Sequence, residues 1–336
     1  MSRSGGRSAI TIYDVAAAAG VAPSTVSRAF SRPGRVNAQT AARIQAVAAE
    51  LGYRANPQAR ALSTTRTMML AVVLADVTNP AFFDLVRGAG AAATEAGYTL
   101  VLAETQESAE RERDVLEATA ARVDGIVLAG SRSPDAAIHQ VNKVVPVVAV
   151  NRDVRGLPSV VVDLEHGARV TVEHLHGLGH REVMYLAGPE ASWPDGMRWR
   201  SLRQVAREHG MRVRRVGPYE PTVQGGVRAG EQWLDGRRRG AAAVGYNDLM
   251  AIGFIRAVTR AGLKVPDDVS VVGFDNTSSA ELITPELTTV AAPMRDVGRI
   301  AATNVIALAR GATSTRGEPV VVPTRLVERE STAPPA

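Results

Sequence analysis

The sequence predicts a small all-α domain with a helix-turn-helix and a hinge helix, followed by an α/β core of two doubly wound lobes. Two patterns carry this prediction. Apolar residues recur at helical spacing through residues 11–51, whereas beyond Met68 short Val/Leu/Ile runs alternate with amphipathic helical stretches. Continuous apolar strands that alternate with helices are typical of parallel sheets covered on both faces. Because these units exceed what one sheet comfortably holds, we expect two lobes.

Residues 11–28 (TIYDVAAAAGVAPSTVSR) predict two short helices joined by a tight turn. Gly20 tolerates the backbone conformation that such a turn needs, and Pro23 suits the first turn of a helix. Val26 is expected to pack on the first helix, so that small polar residues and Arg28 face outward. A small polar face that ends in arginine suits an element entering the major groove of DNA.

The next two segments complete the N-terminal region. An apolar stripe from Ala41 to Leu51 predicts a third helix, with Asn37 as its candidate cap. Residues 53–62 (YRANPQARAL) predict a short helical segment with few apolar anchors. Such a helix is marginal alone, so we expect it to fold only when a partner such as a DNA groove orders it.

The basic charge of the chain is concentrated at its N-terminus. Residues 1–62 hold eight arginines and two acidic residues, a net charge of +6, and the whole chain carries only +5. Attraction to phosphates is therefore expected from this region alone. The chain has no cysteine, which excludes disulfides and thiolate metal sites. Since neither a signal peptide nor a transmembrane run is evident, we expect a cytoplasmic, nucleoid-associated protein without a membrane partner.

Beyond Met68 the candidate elements alternate along the chain. The predicted strands are residues 68–74, 98–103, 125–129, 145–150, 183–186, 242–246, 269–274, 319–322 and 325–328. The predicted helices are residues 82–96, 108–121, 167–176, 197–209, 248–261 and 295–310. A ligand is expected in the cleft outside the carboxyl ends of the strands.

Several other signals do not predict chemistry. His174 and His176 point to different faces of a helix, so together with His180 they do not suggest a metal site. The alternating charges of residues 110–114 (ERERD) are interpreted as a solvated helix face. The sequence contains neither a glycine-rich dinucleotide motif nor a phosphate loop, so no cofactor and no enzymatic activity are predicted.

Nine segments together resemble the lactose/galactose repressor (LacI/GalR) family of bacterial transcription regulators. They are TIYDVAAAAGVAPSTVSRAF, LGYRANPQARAL, NPAFF, VDGIVLAG, GHREVMYLAGP, YNDLMAIG, VPDDVSVVGFDN, TPELTTV and RLVERES. The resemblance implies a periplasmic-binding-protein-like core. It divides the chain into a DNA-binding domain (9–55), a hinge helix and linker (56–66), an N-terminal lobe (67–162 plus 292–322) and a C-terminal lobe (163–291 plus 323–332).

The resemblance also implies which residues contact operator DNA. The base-reading positions fall on Pro23, Ser24 and Arg28, and Arg28 suits a bidentate contact with guanine. The phosphate-positioning candidates are Thr11, Tyr13, Thr25, Ser27 and Asn37, each of which is alternatively a helix cap or a surface hydroxyl. In the hinge, Leu62 is the candidate wedge between minor-groove base pairs, with Ala59 beside the groove floor. The alternative for Leu62 is a linker residue that packs on the core.

For the effector, the resemblance places contacts at strand ends of both lobes. The candidates are Phe82, Phe83, Asn151, Trp193, Arg198, Tyr219, Asn247 and Asp275. For one of the two phenylalanines, packing in the lobe core is the favoured alternative, and Trp193 either stacks on a sugar or merely packs. The sequence leaves open whether Arg198 or Arg200 faces the cleft.

The resemblance thus implies a homodimeric, ligand-responsive DNA-binding regulator, in the first instance a repressor of carbohydrate uptake or catabolism genes. Its partners would be double-stranded operator DNA and a sugar or similar small polar effector. A dimer is expected rather than a tetramer, because no leucine heptad tail follows Glu330. The alternatives are a free transport-type binding protein and a sugar-processing enzyme. Repressor or activator action depends on operator position, which the sequence does not contain.

Overall fold

The computed structural model describes residues 10–31, 34–53, 66–236, 241–313 and 318–335. These residues form two compact units that divide after Met68. The candidate hinge residues Ala59 and Leu62 lie outside the described part of the chain. Within the described residues, no helix is long and apolar enough to cross a membrane.

Three helices build the first unit: α1 (Ile12–Ala19), α2 (Pro23–Ser31) and α3 (Ala38–Glu50). Each contributes one large aliphatic side chain without exposed surface to the common core, namely Val15, Val26 and Ile44. Gly20 ends α1 with φ at 63°, in the left-handed region where glycine has no steric penalty. The prediction of a helix-turn-helix is confirmed.

The second unit begins with a lobe built on a six-stranded sheet. Its elements are β1 (Met69–Leu74), α4 (Ala81–Glu95), β2 (Thr99–Glu104), α5 (Ala109–Ala120), β3 (Gly125–Ala129), α6 (Asp135–Asn142), β4 (Val147–Val150) and β5 (Ser159–Val162). The sheet order is β11-β5-β4-β3-β1-β2, where β11 is Val320–Val322. All paired strands are parallel, as continuous apolar runs such as 70–74 predict.

A second six-stranded sheet forms the other lobe. Its elements are α7 (Leu164–Gly177), β6 (Glu182–Leu186), α8 (Trp193–Glu208), β7 (Arg212–Val216), α9 (Val223–Asp235), β8 (Ala241–Gly245), α10 (Asp248–Arg260), β9 (Val269–Asp275), a 3₁₀ turn (Ser278–Glu281), β10 (Thr288–Ala291) and β12 (Arg325–Val327). The order is β12-β10-β9-β8-β6-β7, and only the β10–β12 pair among these strands is antiparallel. Two doubly wound lobes are therefore confirmed.

The chain passes between the two sheets more than once. After β10 it returns to the first lobe through α11 (Met294–Ala309), which packs on α4. This packing is close because a Cβ atom at Gly88 or Gly298 would collide with the backbone of the facing helix. The chain then adds β11 to the first sheet and β12 to the second. The loops at the carboxyl ends of both sheets consequently meet across one cleft.

Several elements were not predicted, each for a physical reason. The helix α9 contains Gly225, Gly226 and Gly230, which lower helix propensity; Gly226 and Gly230 let α9 approach α10 closely, and Gly225 lies against the backbone of Glu220. The strand β7 (RVRRV) is an edge strand with exposed arginines, so it lacks a continuous apolar run. Short β5 and β10, and α6 with one fully buried aliphatic side chain, were also missed.

Candidate functional site

The outer face of α2 presents the candidate base-reading residues. Ser24 and Arg28 are exposed, while Pro23 is half-buried in the first turn. The Arg28 Nε donates to the Ser24 carbonyl oxygen at 3.2 Å, and its Nη2 donates to the Ser24 hydroxyl at 3.3 Å. Hydrogen bonds at an exposed position contribute little net free energy, so this guanidinium is readily released to another acceptor.

The phosphate candidates divide into helix caps and side chains without a capping role. The N–H and the hydroxyl of Thr11 both donate to the Asp14 carboxylate at 2.7 Å, and these hydrogen bonds lower the pKa of Asp14. Asn37 caps α3 by accepting from the Gln39 N–H at 3.0 Å. Tyr13, in contrast, is 70% exposed. Both Thr11 donors are thus already engaged in holding the start of α1. The two remaining candidates on α2 are half-buried: Thr25 and Ser27.

A small cavity of about 40 Å³ lies between the lobes at the carboxyl ends of their strands. The first lobe contributes to its wall the side chains of Phe82, Glu107, Arg132 and Asn151. The second lobe contributes Arg198, Tyr246, Asn247 and Asp275. This is the edge at which open α/β folds bind ligands, and the wall combines aromatic rings with charged groups.

Arg198 is the most enclosed cation of the second lobe. Its guanidinium carbon lies 3.7 Å from the centre of the Phe274 ring and 4.9 Å from that of Tyr246. The Nη2 atom is 3.6 Å from Asp275 Oδ1, and Nη1 donates to the Tyr246 carbonyl oxygen. Arg200, two residues along α8, is exposed. The structure therefore directs Arg198 into the cleft and Arg200 away from it.

Two carboxyl groups of the second lobe, those of Asp275 and Asp248, have raised pKa values. Asp275 ends β9 with φ at 114°, a strained conformation for a non-glycine residue. Burial raises the pKa of Asp275 to about 7, although Arg198 lowers it in part. Asp248 has no exposed surface and accepts from the Thr289 hydroxyl at 2.5 Å and the Thr277 N–H at 2.7 Å. Burial raises the pKa of Asp248 to about 6. Near neutral pH, Asp275 can thus either accept or donate a hydrogen bond.

Asn247 belongs to the same wall of the cavity, and its hydrogen bonds fix the orientation of its side chain. Its Oδ1 accepts from the Met250 N–H at 2.9 Å, which caps α10, and its Nδ2 donates to the Pro221 carbonyl oxygen at 3.0 Å. The neighbouring Tyr246 hydroxyl hydrogen-bonds with that of Ser192 over 2.9 Å. These contacts hold both side chains at the cavity before any ligand arrives.

The structure adds Arg132, which the sequence did not single out. The residue is 7% exposed, and its Nε and Nη2 both donate to the Glu107 carboxylate at 2.6 Å. Burial lowers the pKa of Arg132, but its proximity to Tyr246 and Glu107 raises that pKa by more. The available signal was the polar run Ser131–Ser133 directly after buried β3, at the edge where ligands bind.

Glu112 supports this loop, and the interpretation of residues 110–114 as a solvated face is wrong at this position. Its side chain has no exposed surface. One carboxylate oxygen accepts from the Ser131 hydroxyl at 2.5 Å and the other from the Arg132 N–H at 2.7 Å. Glu112 occupies the inward face of α5, so alternation of charges along the sequence did not reveal its burial.

The other effector candidates are not all gathered at this cavity. Phe83 is 51% exposed and lies in a separate surface depression, so it is not part of the lobe core. Trp193 begins α8, half-buried, and does not contribute to the wall of the small cavity. Tyr219 lines a wider depression of about 1030 Å³ and hydrogen-bonds to Gln232. The cavity thus brings together Phe82, Asn151, Arg198, Asn247 and Asp275.

The wider depression is acidic and adjoins the small cavity through Glu107 and Pro221. We refer to it as the acidic mouth. Its carboxylates are Asp76, Glu104, Glu107, Glu190 and Glu220, and its one arginine is Arg228. Arg228 pairs with Glu220, so the lining carries a clear excess of negative charge.

The three histidines near residue 177 have different partners and do not converge. His174 and His180 contact the C-terminal segment, and His176 lies beside His209. His174 Nε2 lies 3.0 Å from the Thr332 hydroxyl, and buried His180 Nε2 lies 3.0 Å from that of Ser270. The His176 ring lies beside His209, with the ring centres 5.0 Å apart. Among the described residues, no three potential ligands are grouped as a metal site would need.

Comparisons with known proteins agree with this architecture. Residues 11–56 match the family of bacterial regulatory proteins called the lacI family, and residues 172–332 match the periplasmic binding protein-like domain. The transcriptional regulator DegA of Bacillus subtilis is 32% identical, with 96% of this chain and 98% of DegA covered.

Solved structures extend the likeness. The lac repressor dimer bound to operator and the anti-inducer ONPF superposes with a TM-score of 0.85 at 27% identity, covering 97% of this chain and 100% of that one. The complex of the regulator CelR with cellobiose gives 0.71 at 29% identity, covering 96% and 99%. The chain therefore belongs to the LacI family of bacterial transcription regulators and joins a helix-turn-helix DNA-binding domain to a two-lobed periplasmic-binding-protein-like core.

Proposed function

We propose that this protein is a cytoplasmic, homodimeric repressor of carbohydrate uptake or catabolism genes, and that a sugar or related polar metabolite in the cleft controls its operator binding. The observation that carries the proposal is the buried Arg198–Asp275 pair at the carboxyl ends of the strands. In a chain that also has a DNA-binding domain, such a pair supports sensing rather than transport. The dimer is supported by the likeness to the operator-bound lac repressor dimer.

On the DNA side, Arg28 would donate to guanine O6 and N7 in the major groove. Ser24 would discriminate weakly because a hydroxyl accepts and donates, and Pro23 would touch a thymine methyl. Tyr13 is the best supported phosphate contact, since its side chain is largely exposed. Leu62, with Ala59 beside it, would insert at the operator centre and kink the duplex.

On the effector side, the arrangement suits a polyhydroxyl compound. Asn247 and Asp275 offer donors and acceptors for hydroxyl pairs, and the Phe82 ring suits an apolar sugar face. The related regulator CelR was solved with cellobiose. A cavity of about 40 Å³ is far below the roughly 300–1,000 Å³ of small-molecule sites, so a sugar can enter only if the lobes separate. This movement would couple the effector to the hinge.

The proposal is tested with the full chain and duplexes tiled from DNA flanking its own gene. Fluorescence anisotropy should find one duplex bound about a thousandfold more tightly than a scrambled duplex of equal length at the same salt concentration. Equal affinity for every duplex would refute it and leave the transport-type binding protein as the alternative. Operator position relative to the promoter then distinguishes repression from activation.

The hinge is tested on that same duplex. Leu62→Ala should weaken operator binding, because the wedge that offsets unstacking is lost, and should leave the melting temperature of the core unchanged. Leu282→Ala, at an 83% exposed side chain, serves as the matched control. An unchanged operator affinity in Leu62→Ala would contradict the wedge and favour a linker role.

A further inference from the structure

Three buried polar atoms at the small cavity lack hydrogen-bond partners among the described residues. They are Arg132 Nη1, Arg198 Nε and Asn151 Oδ1. Both arginines are more than nine-tenths buried, with 7% and 6% of their surface exposed. All three residues line the same cavity. Because buried polar groups are normally paired, atoms left unpaired in one cavity indicate where a ligand binds.

We propose that Arg132 is a specificity-determining residue of the effector site, and that the site selects an uncharged polyhydroxyl compound over its phosphorylated or carboxylated counterparts. This inference rests on the proposed function, because it assumes that the cleft binds an effector. It goes further by assigning a role to Arg132 and a charge to the ligand.

The unpaired atoms define the complementary chemistry. Arg132 and Arg198 each offer an N–H donor, whereas Asn151 offers a carbonyl acceptor. A hydroxyl both accepts and donates, so neighbouring hydroxyls satisfy all three atoms. An ionised phosphate or carboxylate group placed at these three atoms has acceptors alone and would leave Asn151 unpaired, and an ammonium group would leave both arginines unpaired, so hydroxyl groups suit this part of the cavity. The set therefore fits a polyol.

The charges around the cavity also favour an uncharged ligand. Arg132 lies 2.6 Å from the Glu107 carboxylate and Arg198 lies 3.6 Å from Asp275 Oδ1, so each guanidinium already has a carboxyl group of the protein beside it. Of the five carboxylates in the acidic mouth next to the cavity, Glu107 pairs with Arg132 and Glu220 with Arg228, which leaves Asp76, Glu104 and Glu190 as its excess negative charge. A ligand with a negative substituent would meet repulsion there, in a cleft whose low-dielectric walls focus the field. An uncharged ligand meets no such barrier.

Hydrogen bonds hold Arg132 in one orientation, as a residue that discriminates between similar ligands requires. Glu107 receives two hydrogen bonds from its guanidinium, and Glu112 receives one from its main-chain N–H. Arg152 Nη2 contacts Asp135 Oδ1 at 2.5 Å, and Nη1 of the same residue donates to the Ser133 carbonyl oxygen. The loop is therefore fixed on both sides of Arg132, and the free N–H keeps one direction into the cavity.

The test compares matched pairs of compounds on the full chain by thermal shift and calorimetry. The pairs are D-glucose with D-glucose 6-phosphate and D-glucuronate, D-galactose with D-galacturonate, D-ribose with D-ribose 5-phosphate, and cellobiose with cellobionate. At least one uncharged sugar should raise the melting temperature, and its charged counterpart should bind about tenfold or more weakly. Stabilisation by charged members alone, or by no member, would overturn the inference.

Variants then assign the discrimination to residues. Arg132→Lys keeps the charge beside Glu107 but loses the planar fork, so affinity for the uncharged sugar should fall about ten- to a hundredfold. Arg113→Lys, at an exposed arginine of α5, is the matched control and should bind as the parent does. Equal affinity in Arg132→Lys and Arg113→Lys would remove Arg132 from the site.

The acidic mouth is tested separately. Glu104→Gln with Glu190→Gln should narrow the affinity ratio between an uncharged sugar and its phosphorylated counterpart, whereas Glu110→Gln with Glu117→Gln on the exposed face of α5 should not. An unchanged ratio in the first double variant would contradict the electrostatic argument.

Operator binding distinguishes failure of this inference from failure of the proposed function. A chain that binds its operator but selects charged sugars refutes this inference alone.

Discussion

Arginine is used in opposite ways on α2 and in the cleft. Arg28 is exposed and, within the described part of the chain, hydrogen-bonds with Ser24 on its own helix. Arg198 and Arg132 are buried against Asp275 and Glu107. Without DNA, water solvates the exposed Arg28 in the folded chain as it does in the unfolded chain, so this side chain has little effect on folding. The two buried arginines depend on their carboxyl partners for the stability of the fold, since an unpaired buried charge is costly.

The difference shows what each arginine can contribute to recognition. Arg28 can give its whole guanidinium to a base, because its own contacts are weak. Arg132 and Arg198 can give only the N–H groups that their carboxylates leave over. Exposure therefore permits a strong new contact, whereas burial permits a small and rigid one that selects among similar ligands.

The largest expected effect is on stability in the cleft. At pH 8, where Asp275 is ionised in the parent, Arg198→Met should lower the free energy of unfolding of the core by about 3–5 kcal/mol, because the largely buried Asp275 must then lose its partner or take up a proton. Urea unfolding followed by tryptophan fluorescence reports on this unit, since Trp193, Trp199 and Trp233 all belong to it.

Arg200→Met is the control for that variant. It removes the same side chain from the same helix at an exposed position, so its unfolding free energy should change by no more than about 0.5 kcal/mol. Equal destabilisation by the two substitutions would mean that burial does not distinguish these arginines. Adding Asp275→Asn to Arg198→Met should recover part of the loss.

The next largest effect is a pH dependence of the free energy of unfolding. It should come from the carboxyl groups of the cleft and not from the exposed Arg28 on α2. Asp275, with its pKa raised to about 7, keeps its proton in the folded protein where the unfolded chain has already released it. The unfolded state thus binds fewer protons between about pH 4 and 7, so stability falls as pH rises through this interval. Asp248, with its pKa raised to about 6, adds to the same trend.

Urea unfolding at pH 5 and pH 8 measures this dependence. The parent should lose up to a few kcal/mol between them, and Asp275→Asn should lose less, because the amide does not titrate. Asp84→Asn, at a largely exposed carboxylate on α4, should follow the parent. A pH dependence that is identical in Asp275→Asn and the parent would show that this carboxyl group does not titrate in the interval.

The elements that the sequence predicted are those whose pattern is local. The helix-turn-helix follows from Val15, Val26 and Gly20, which act within one small unit. The strand predicted at residues 269–274 follows from its continuous apolar run, and the structure has it at Val269–Asp275. In contrast, α9 was missed because Gly226 and Gly230 are explained by the close approach of α10, a contact that no local pattern contains.

The residues of the cleft also divide into those that the sequence predicted and those that depend on contacts distant in the sequence. Arg198, Asn247 and Asp275 were predicted from family resemblance at strand ends, and the structure brings them to one cavity. Arg132 was missed because its importance depends on Glu107, which lies 25 residues away in the sequence and pairs with the buried guanidinium. Glu112 was misinterpreted because its burial results from the loop after β3 folding onto α5. Sequence spacing describes one helix face and not what covers it.

The smallest effect returns to α2. Arg28→Ala should cost about 1–3 kcal/mol of operator binding and relax the preference at one base pair, because the bidentate guanine contact is lost. Its folding should be unaffected, unlike that of Arg198→Met, since Arg28 is exposed. Fluorescence anisotropy with operators substituted at each position, at one fixed salt concentration, measures both the affinity and the base preference.

Arg43→Ala, at an exposed arginine of α3, is the control. If Arg43 contacts a phosphate, this variant should weaken binding to all operators about equally. A uniform loss in Arg28→Ala would make this residue a phosphate contact. The base reading would then fall to Ser24 and Pro23.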